Sequence, residues 1–248
     1  MRTLATIIQN LWFWPLFVFA SGVYIGLVGL FMLAVCPFES KRRMERRLRR
    51  AISGYGRLIV GCAWPFVRVE YRDLAVGDTD NPVIFICNHR SLIDAFMLAY
   101  LPIEGVQITK AWPIRLPVLG GLARLAGYMS VTDLELDELF RRAGSLLDQK
   151  VCLGAFPEGT RSDGREMGQF GSAIFRLAKE RRATLVPFAI SGSERVAVRG
   201  SWWLRPGSIR VDKLPALRWV DYRDLSVFKL KNRVREMLIS HLQDVEGQ

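Results

Sequence analysis

An α/β domain with a largely parallel central sheet flanked by helices, preceded by a membrane-anchoring helical segment, is the fold class this sequence predicts. Three observations lead to it. Beyond about Ala63, short apolar runs alternate with stretches of helical periodicity, the pattern of strands joined by crossover helices. From Leu11 to Cys36 the chain runs 26 residues without a charge. A dense basic cluster, Lys41 to Arg50, follows directly. At 248 residues there is room for one substantial domain plus an appendage, divided here as an anchor over 1–62 and a catalytic-type domain over 63–248.

The anchor comes first. As a helix, its charge-free stretch would span about 39 Å, more than the roughly 30 Å of a hydrocarbon layer, and Trp12 and Trp14 suit a membrane–water interface. A cleavable signal peptide fits less well, because only Arg2 precedes the run, the run is long, and arginines follow it. Pro15, Gly22, Gly26 and Gly29 leave two forms open: one tilted span, or two short helices dipping into one leaflet. The basic cluster keeps its flank, and with it the rest of the chain, on the cytoplasmic side of an inner membrane, and it attracts anionic headgroups. Met44, Leu48, Ile52, Tyr55 and Ile59 recur at helical spacing, so this segment is an amphipathic helix lying on the membrane or against the domain. A formal net charge of +11 would also suit nucleic acid. Its densest part adjoins the apolar run, however, so membrane phospholipid is the expected partner and nucleic acid is not.

Strands are expected at Val67–Tyr71, Val83–Cys87, Val106–Thr109, Tyr128–Val131, Val151–Phe156, Leu185–Ile190 and Ser208–Val211. Helices are expected at Ser91–Leu101, Glu135–Gln149, Ser172–Arg181 and Leu225–Gln243, the last a covering helix with Leu230, Val234, Met237, Leu238 and Leu242 on one stripe. Gly77–Pro82 reads as a turn. Pro187 within an apolar run suggests a strand edge or bulge near a cavity. Cys36, Cys62, Cys87 and Cys152 are scattered without a C-x-x-C pair or zinc-type spacing, and read as reduced and structural.

Chemistry concentrates after two strands. Asn88-His89-Arg90-Ser91-Leu92-Ile93-Asp94 follows the second, and His89 is one of only two histidines, the other being His241. Residues five apart on one helix point roughly 140° apart. His89 and Asp94 therefore meet only if the first sits in a loop and the second in the helix's first turn, with Ser91 as N-cap. The same letters also form a capping box in which Asp94 serves only the helix end. Phe156-Pro157-Glu158-Gly159-Thr160-Arg161-Ser162 ends another strand. Its Arg161 offers a fork of donors for phosphate, Glu158 an acceptor for hydroxyls, and Gly159 close backbone approach; a solvated turn is the plainer alternative. Lys110 also ends a strand, with Pro117 and Gly120 seven and ten residues on.

In this order the pieces resemble the four motifs of the glycerolipid acyltransferase family, and the chain is similar to its bacterial 1-acylglycerol-3-phosphate acyltransferases over roughly residues 65–215. N-H-x-x-x-x-D is met by Asn88, His89 and Asp94; F-P-E-G-T-R-S is matched at every position; the second motif is met in Lys110, Pro117 and Gly120, and the fourth in Val186-Pro187. The resemblance implies that His89 deprotonates the acceptor hydroxyl, which attacks an acyl thioester, while Asp94 orients the ring. It implies that Glu158 positions the acceptor glycerol, that Arg161 with Lys110 binds its phosphate, and that Gly159, which lets backbone and substrate approach, and Thr160 also bind the substrate. The donor would be acyl-CoA or acyl carrier protein, a co-substrate; no resident cofactor or metal is expected. Trp112-Pro113, Thr132-Asp133 and Phe170-Gly171-Ser172-Ala173 depart from family patterns where the acceptor head group should be read. The expected activity is thus acyl transfer to a lysophospholipid, first lysophosphatidate. Beside it stand the same chemistry on a lyso-ornithine lipid, a glycolipid or a polyene-like lipid, and a non-catalytic lipid-binding protein. A hydrolase lacks its G-x-S-x-G elbow here.

Overall fold

The computed structural model describes residues 3–74, 82–101, 103–110, 114–115, 119–162 and 166–247. The expected turn at 77–81, and Trp112, Pro113 and Pro117, lie outside the described residues. All seven expected strands form, as β1 (Val67–Asp73), β2 (Val83–Cys87), β3 (Gly105–Thr109), β4 (Met129–Ser130), β5 (Cys152–Ala155), β6 (Thr184–Ser191) and β7 (Gly207–Lys213). They make one sheet in the order β1-β7-β6-β2-β5-β3-β4, every neighbouring pair parallel except β6 with β7.

The central strands are continuous apolar runs because helices cover both faces. β2 and β6 are buried at every position. Period-two alternation sorts their side chains. Ile84 and Ile86 join one core with Leu147, Phe175, Leu230 and Leu238. Val83, Phe85 and Cys87 join the other with Phe13, Val60 and Met97. The first core lies under α5 (Leu136–Asp148), α6 (Ala173–Arg181) and α9 (Val227–Glu246); the second lies under α1 (Leu4–Val35), α2 (Lys41–Cys62) and the single turn α3 (Asp94–Met97). Three short helices, α4 (Leu119–Leu125), α7 (Ser193–Val196) and α8 (Trp219–Tyr222), fill connections.

Two expectations need correction and one open alternative is narrowed. The helix expected from Ser91 to Leu101 is one α-turn continued by a 3-10 turn at Leu98–Tyr100, and Ser91 does not cap it. The Ser91 hydroxyl donates instead to Ala197 O, 2.8 Å away. Pro187 lies inside β6, between β7 and β2, not at a sheet edge. Its neighbour Leu185 bonds Leu217 in both directions, and its own carbonyl accepts from Leu214 N at 3.0 Å. β7 has ended at Lys213, so the missing Pro187 N–H faces the stretch where its partner bows away through Pro215 and Ala216. The bulge half of that expectation holds and the edge half does not.

The alternative narrowed concerns the anchor, where a single helix forms and two short ones do not. Leu4–Val35 is one continuous helix of 32 residues with Pro15 inside it, long and apolar enough to cross a membrane. One side of it is docked along its length. Asn10 bonds Leu204 reciprocally, its amide donating to the carbonyl at 2.8 Å and its oxygen accepting from the N–H at 3.0 Å. Tyr24 donates to Ala51 O and Tyr55 to Ser21 Oγ. Met32 packs with Leu48 and Ala126. Facing away from these contacts, Leu4, Ile8, Leu11 and Val18 recur at three- to seven-residue spacing and are exposed, as are Leu27 and Leu30 further along. Of the two placements expected for α2, packing against the domain is realised: Gly56 allows it to cross so closely that an added Cβ would stand 2.9 Å from Ala99 Cβ.

Candidate active site

β2 delivers His89 to the carboxyl edge of the sheet, and the turn after it returns Asp94. Asp94 is fully buried, and its Oδ2 stands 3.1 Å from His89 Nδ1. The same oxygen accepts Arg90 N–H at 2.7 Å and Ser91 N–H at 2.6 Å. The capping box is not formed, since Ser91 is not the N-cap and its hydroxyl bonds elsewhere; Asp94 ties the backbone of the turn with the same oxygen that holds the ring. An ionised carboxylate only accepts, which assigns the proton to Nδ1 and leaves a lone pair on Nε2. Nε2 has no hydrogen-bond partner among the described residues.

The rest of the histidine is braced on every side. Asn88 continues the β2–β6 ladder through its side chain, bonding Ile190 N–H and C=O at 2.8 Å each. Glu158 Oε1 accepts His89 N–H at 2.8 Å, and Oε2 accepts Gly168 N–H at 2.9 Å. Ser162 N–H donates to the His89 carbonyl at 2.8 Å. The Phe156 ring lies against the imidazole, centroids 4.5 Å apart. Burial raises the Glu158 pKa, opposed by the N–H donors of His89 and Gly168. The Ser162 hydroxyl bears on the same carboxylate, and the remaining lone-pair capacity is left for a substrate hydroxyl. Gly159 has φ +66° with open space where a Cβ would stand, so the turn's backbone, not its packing, requires glycine.

His89, Glu158 and Lys110 leave the same edge of the sheet because β2, β5 and β3 are adjacent and parallel, and neighbouring strands lie about 4.8 Å apart. Lys110 and Thr160 are exposed and Arg161 is half-buried; neither cation has an ion pair among the described residues. Gly120 lets α4 approach the Ile114 carbonyl, which would stand 2.2 Å from an added Cβ. Beneath α3 an almost wholly apolar cavity of about 370 Å³ runs between Leu92, Phe96 and Thr109 near the site and Tyr24 and Ile52 on the anchor helices.

A profile of the acyltransferase family matches residues 68–191. The chain belongs to the acyltransferase family. It is 23% identical over 220 residues to a 1-acyl-sn-glycerol-3-phosphate acyltransferase of Cocos nucifera, covering 87% of this chain and 70% of that one. A Limnanthes douglasii protein of the same name is 27% identical over 199 residues, covering 78% and 69%. The alpha form from Ovis aries is 23% identical over 227 residues, covering 90% and 77%. The fold matches the crystal structure of the 1-acyl-sn-glycerophosphate (LPA) acyltransferase PlsC from Thermotoga maritima, with TM-score 0.79 at 21% identity over 98% of each chain. The enzyme is thus an acyltransferase with the fold expected of it.

Sequence reasoning placed His89, Asp94, Glu158 and the 156–162 turn together, and missed what holds them. α9 was read as a cover. Its Arg235 donates to Gly168 O at 2.9 Å and to Met167 O, and Lys231 donates to Phe170 O at 3.0 Å. Glu246 pairs with Arg90. The residue that bonds Glu158 is thus gripped from a helix more than 60 positions away, a separation no motif spans.

Proposed function

We propose that this acyltransferase moves a fatty acyl chain from an acyl thioester to the free hydroxyl of lysophosphatidate, giving phosphatidate. What carries the reading is the Nε2 lone pair of a histidine braced by buried Asp94, on a sheet edge that also carries Lys110 and Arg161 and beside a turn whose Leu92 lines an apolar cavity. Nε2 takes the hydroxyl proton as the oxygen attacks the thioester carbonyl. Asp94 stabilises the imidazolium that forms. The tetrahedral intermediate collapses, the C–S bond breaks, and the imidazolium returns its proton to the thiolate. Arg161 and Lys110 hold the acceptor phosphate, Arg161 through its planar fork, and the remaining lone-pair capacity of Glu158 receives a glycerol hydroxyl. The apolar cavity takes the acyl chain.

Membrane placement belongs to the same proposal. α1 is fixed to one domain near both ends, at Asn10–Leu204 and at Met32–Leu48, about 33 Å apart along the helix. A helix held so cannot carry its two ends to opposite sides of a bilayer. It lies in the plane of one leaflet, exposed face in lipid, with the basic start of α2 at anionic headgroups of the cytoplasmic side.

The test is mass spectrometry of products from purified enzyme given mixed acyl thioesters and a panel of lyso-lipids. Phosphatidate is expected, and none from His89→Ala or Asp94→Ala protein that still folds. Product that persists in both variants would remove the mechanism. Equal kcat/KM with a phosphate-free acceptor would remove the roles of Arg161 and Lys110 and favour another lyso-lipid.

A further inference from the structure

The catalytic domain carries its own exposed aromatic, far in sequence from the anchor. Trp202 is 80% exposed at the tip of the 197–206 loop. The loop is not slack. Ala197 and Leu204 form a bridge, Arg205 N–H donates to Val196 O at 2.9 Å, and Trp203 N–H donates to Ser201 Oγ at 3.0 Å. The fold therefore holds the indole outward, where water rewards none of its apolar surface.

What lies beside it indicates the partner. Leu204 is the residue that Asn10 grips, so the loop and the first third of α1 form one unit. Leu4, Leu11 and Trp12 are exposed on that part of α1. Trp12 donates its ring N–H to Trp64 O, and Trp64 is exposed as well. Three indoles from separate parts of the chain thus emerge around one end of the apolar helix, and exposed Arg199 and Arg205 flank the loop tip. Tryptophan with arginine at the border of an apolar surface is the composition of a bilayer interface carrying anionic lipid.

We propose that the 197–206 loop is a second membrane contact, with Trp202 seated at headgroup level and its flanking arginines toward anionic phosphates. The proposal rests on the in-plane reading of α1 and adds what a single helix cannot supply. One in-plane helix leaves the domain free to roll about its axis; a contact to one side of that axis fixes the roll, and so fixes which way the site faces the lipid. The base of the loop reaches the site directly, since Ser91 of the His89 turn donates to Ala197 O at 2.8 Å.

Photo-crosslinking tests it. p-Benzoylphenylalanine is placed at position 202, at 19 on the exposed side of α1, or at 228 on α9 across the sheet, in full-length enzyme on phosphatidylglycerol–phosphatidylcholine vesicles. Lipid adducts are expected at 202 and 19 and not at 228, where exposed Phe228 is the control. An adduct at 19 without one at 202 overturns this proposal and leaves the anchor reading standing. Adducts at neither overturn both. Adducts at 228 matching those at 202, or capture of a protein at 202 in place of lipid, also overturn it. As a second measure, Trp202→Ala should raise the vesicle concentration for half-binding several-fold with Tm unchanged; unchanged binding counts against the loop.

Discussion

Asp94 Oδ2 serves three donors at once, the His89 ring and two backbone N–H groups. Asparagine keeps the size but offers an amide N–H where an acceptor is needed, so the ring turns to the tautomer with Nε2 protonated. Asp94→Asn should therefore lower kcat by about 10³–10⁴-fold, the scale of losing the correct tautomer in a His–Asp pair; a loss under tenfold in single-turnover assays would show the pair is not used. Glu158 makes a different prediction. Burial holds its folded pKa above the ordinary 4.5, so the native state binds more protons than the unfolded chain in the window above that value. Its contribution to stability is then present below that window and lost as pH rises through the raised pKa. The Tm of wild type minus that of Glu158→Gln should fall with rising pH there, and a difference that grows would reverse the sign. The variant should also lose activity, since an amide cannot accept two N–H donors through separate oxygens. At this scale the five-residue spacing was informative: it required His89 in a loop and Asp94 in the first turn, and both are there. Ser91 was misread because a hydroxyl's partner depends on what the fold brings near, here a carbonyl about a hundred residues on.

The central strands were legible because a sheet covered on both faces writes them as short unbroken apolar runs, as in β2 and β6, while β1 and β3 alternate. Helices divide differently. α9 shows a clear buried stripe, yet Arg235 and Lys231 beside that stripe look in sequence like any solvated face. In the fold they grip the carbonyls of 167–170, and Gly168 in turn bonds Glu158. Removing that grip should loosen His89 without touching it. Arg235→Ala is expected to cost about 1–2 kcal/mol of stability, the size of a hydrogen bond from a charged donor, and to lower kcat while leaving the acceptor KM nearly unchanged. Arg235→Lys should recover part of kcat. If KM rises and kcat holds, α9 acts on binding and not on the histidine. α1 was the least legible element, because a helix apolar all round does not announce which side is docked.

Net charge, anchor and sheet combine at the scale of the molecule. Parallel strands bring residues far apart in sequence to one edge, and α1 is fixed to the same domain by contacts close to both its ends. The charge-free run alone fits a crossing helix equally well; the proposed in-plane placement rests on Asn10 and Met32, which each touch the same domain. The two placements differ in which side of the membrane sees the helix ends. Leu4 and Phe38 are exposed, 72% and 88%, and stand at the two ends of the apolar run, where an in-plane helix rises to the headgroups, so Leu4→Cys and Phe38→Cys should accept a label without disturbing the core. With Cys36 and Cys152 replaced by serine, Cys62 and Cys87 are buried, and burial pushes the Cys87 thiol well up, away from the reactive thiolate. A membrane-impermeant maleimide added to inverted vesicles should then modify both positions, and added to right-side-out cells neither. Labelling of position 4 from one side and position 38 from the other would make α1 a crossing helix, and the contacts at Asn10 and Met32 could not then both exist in the membrane.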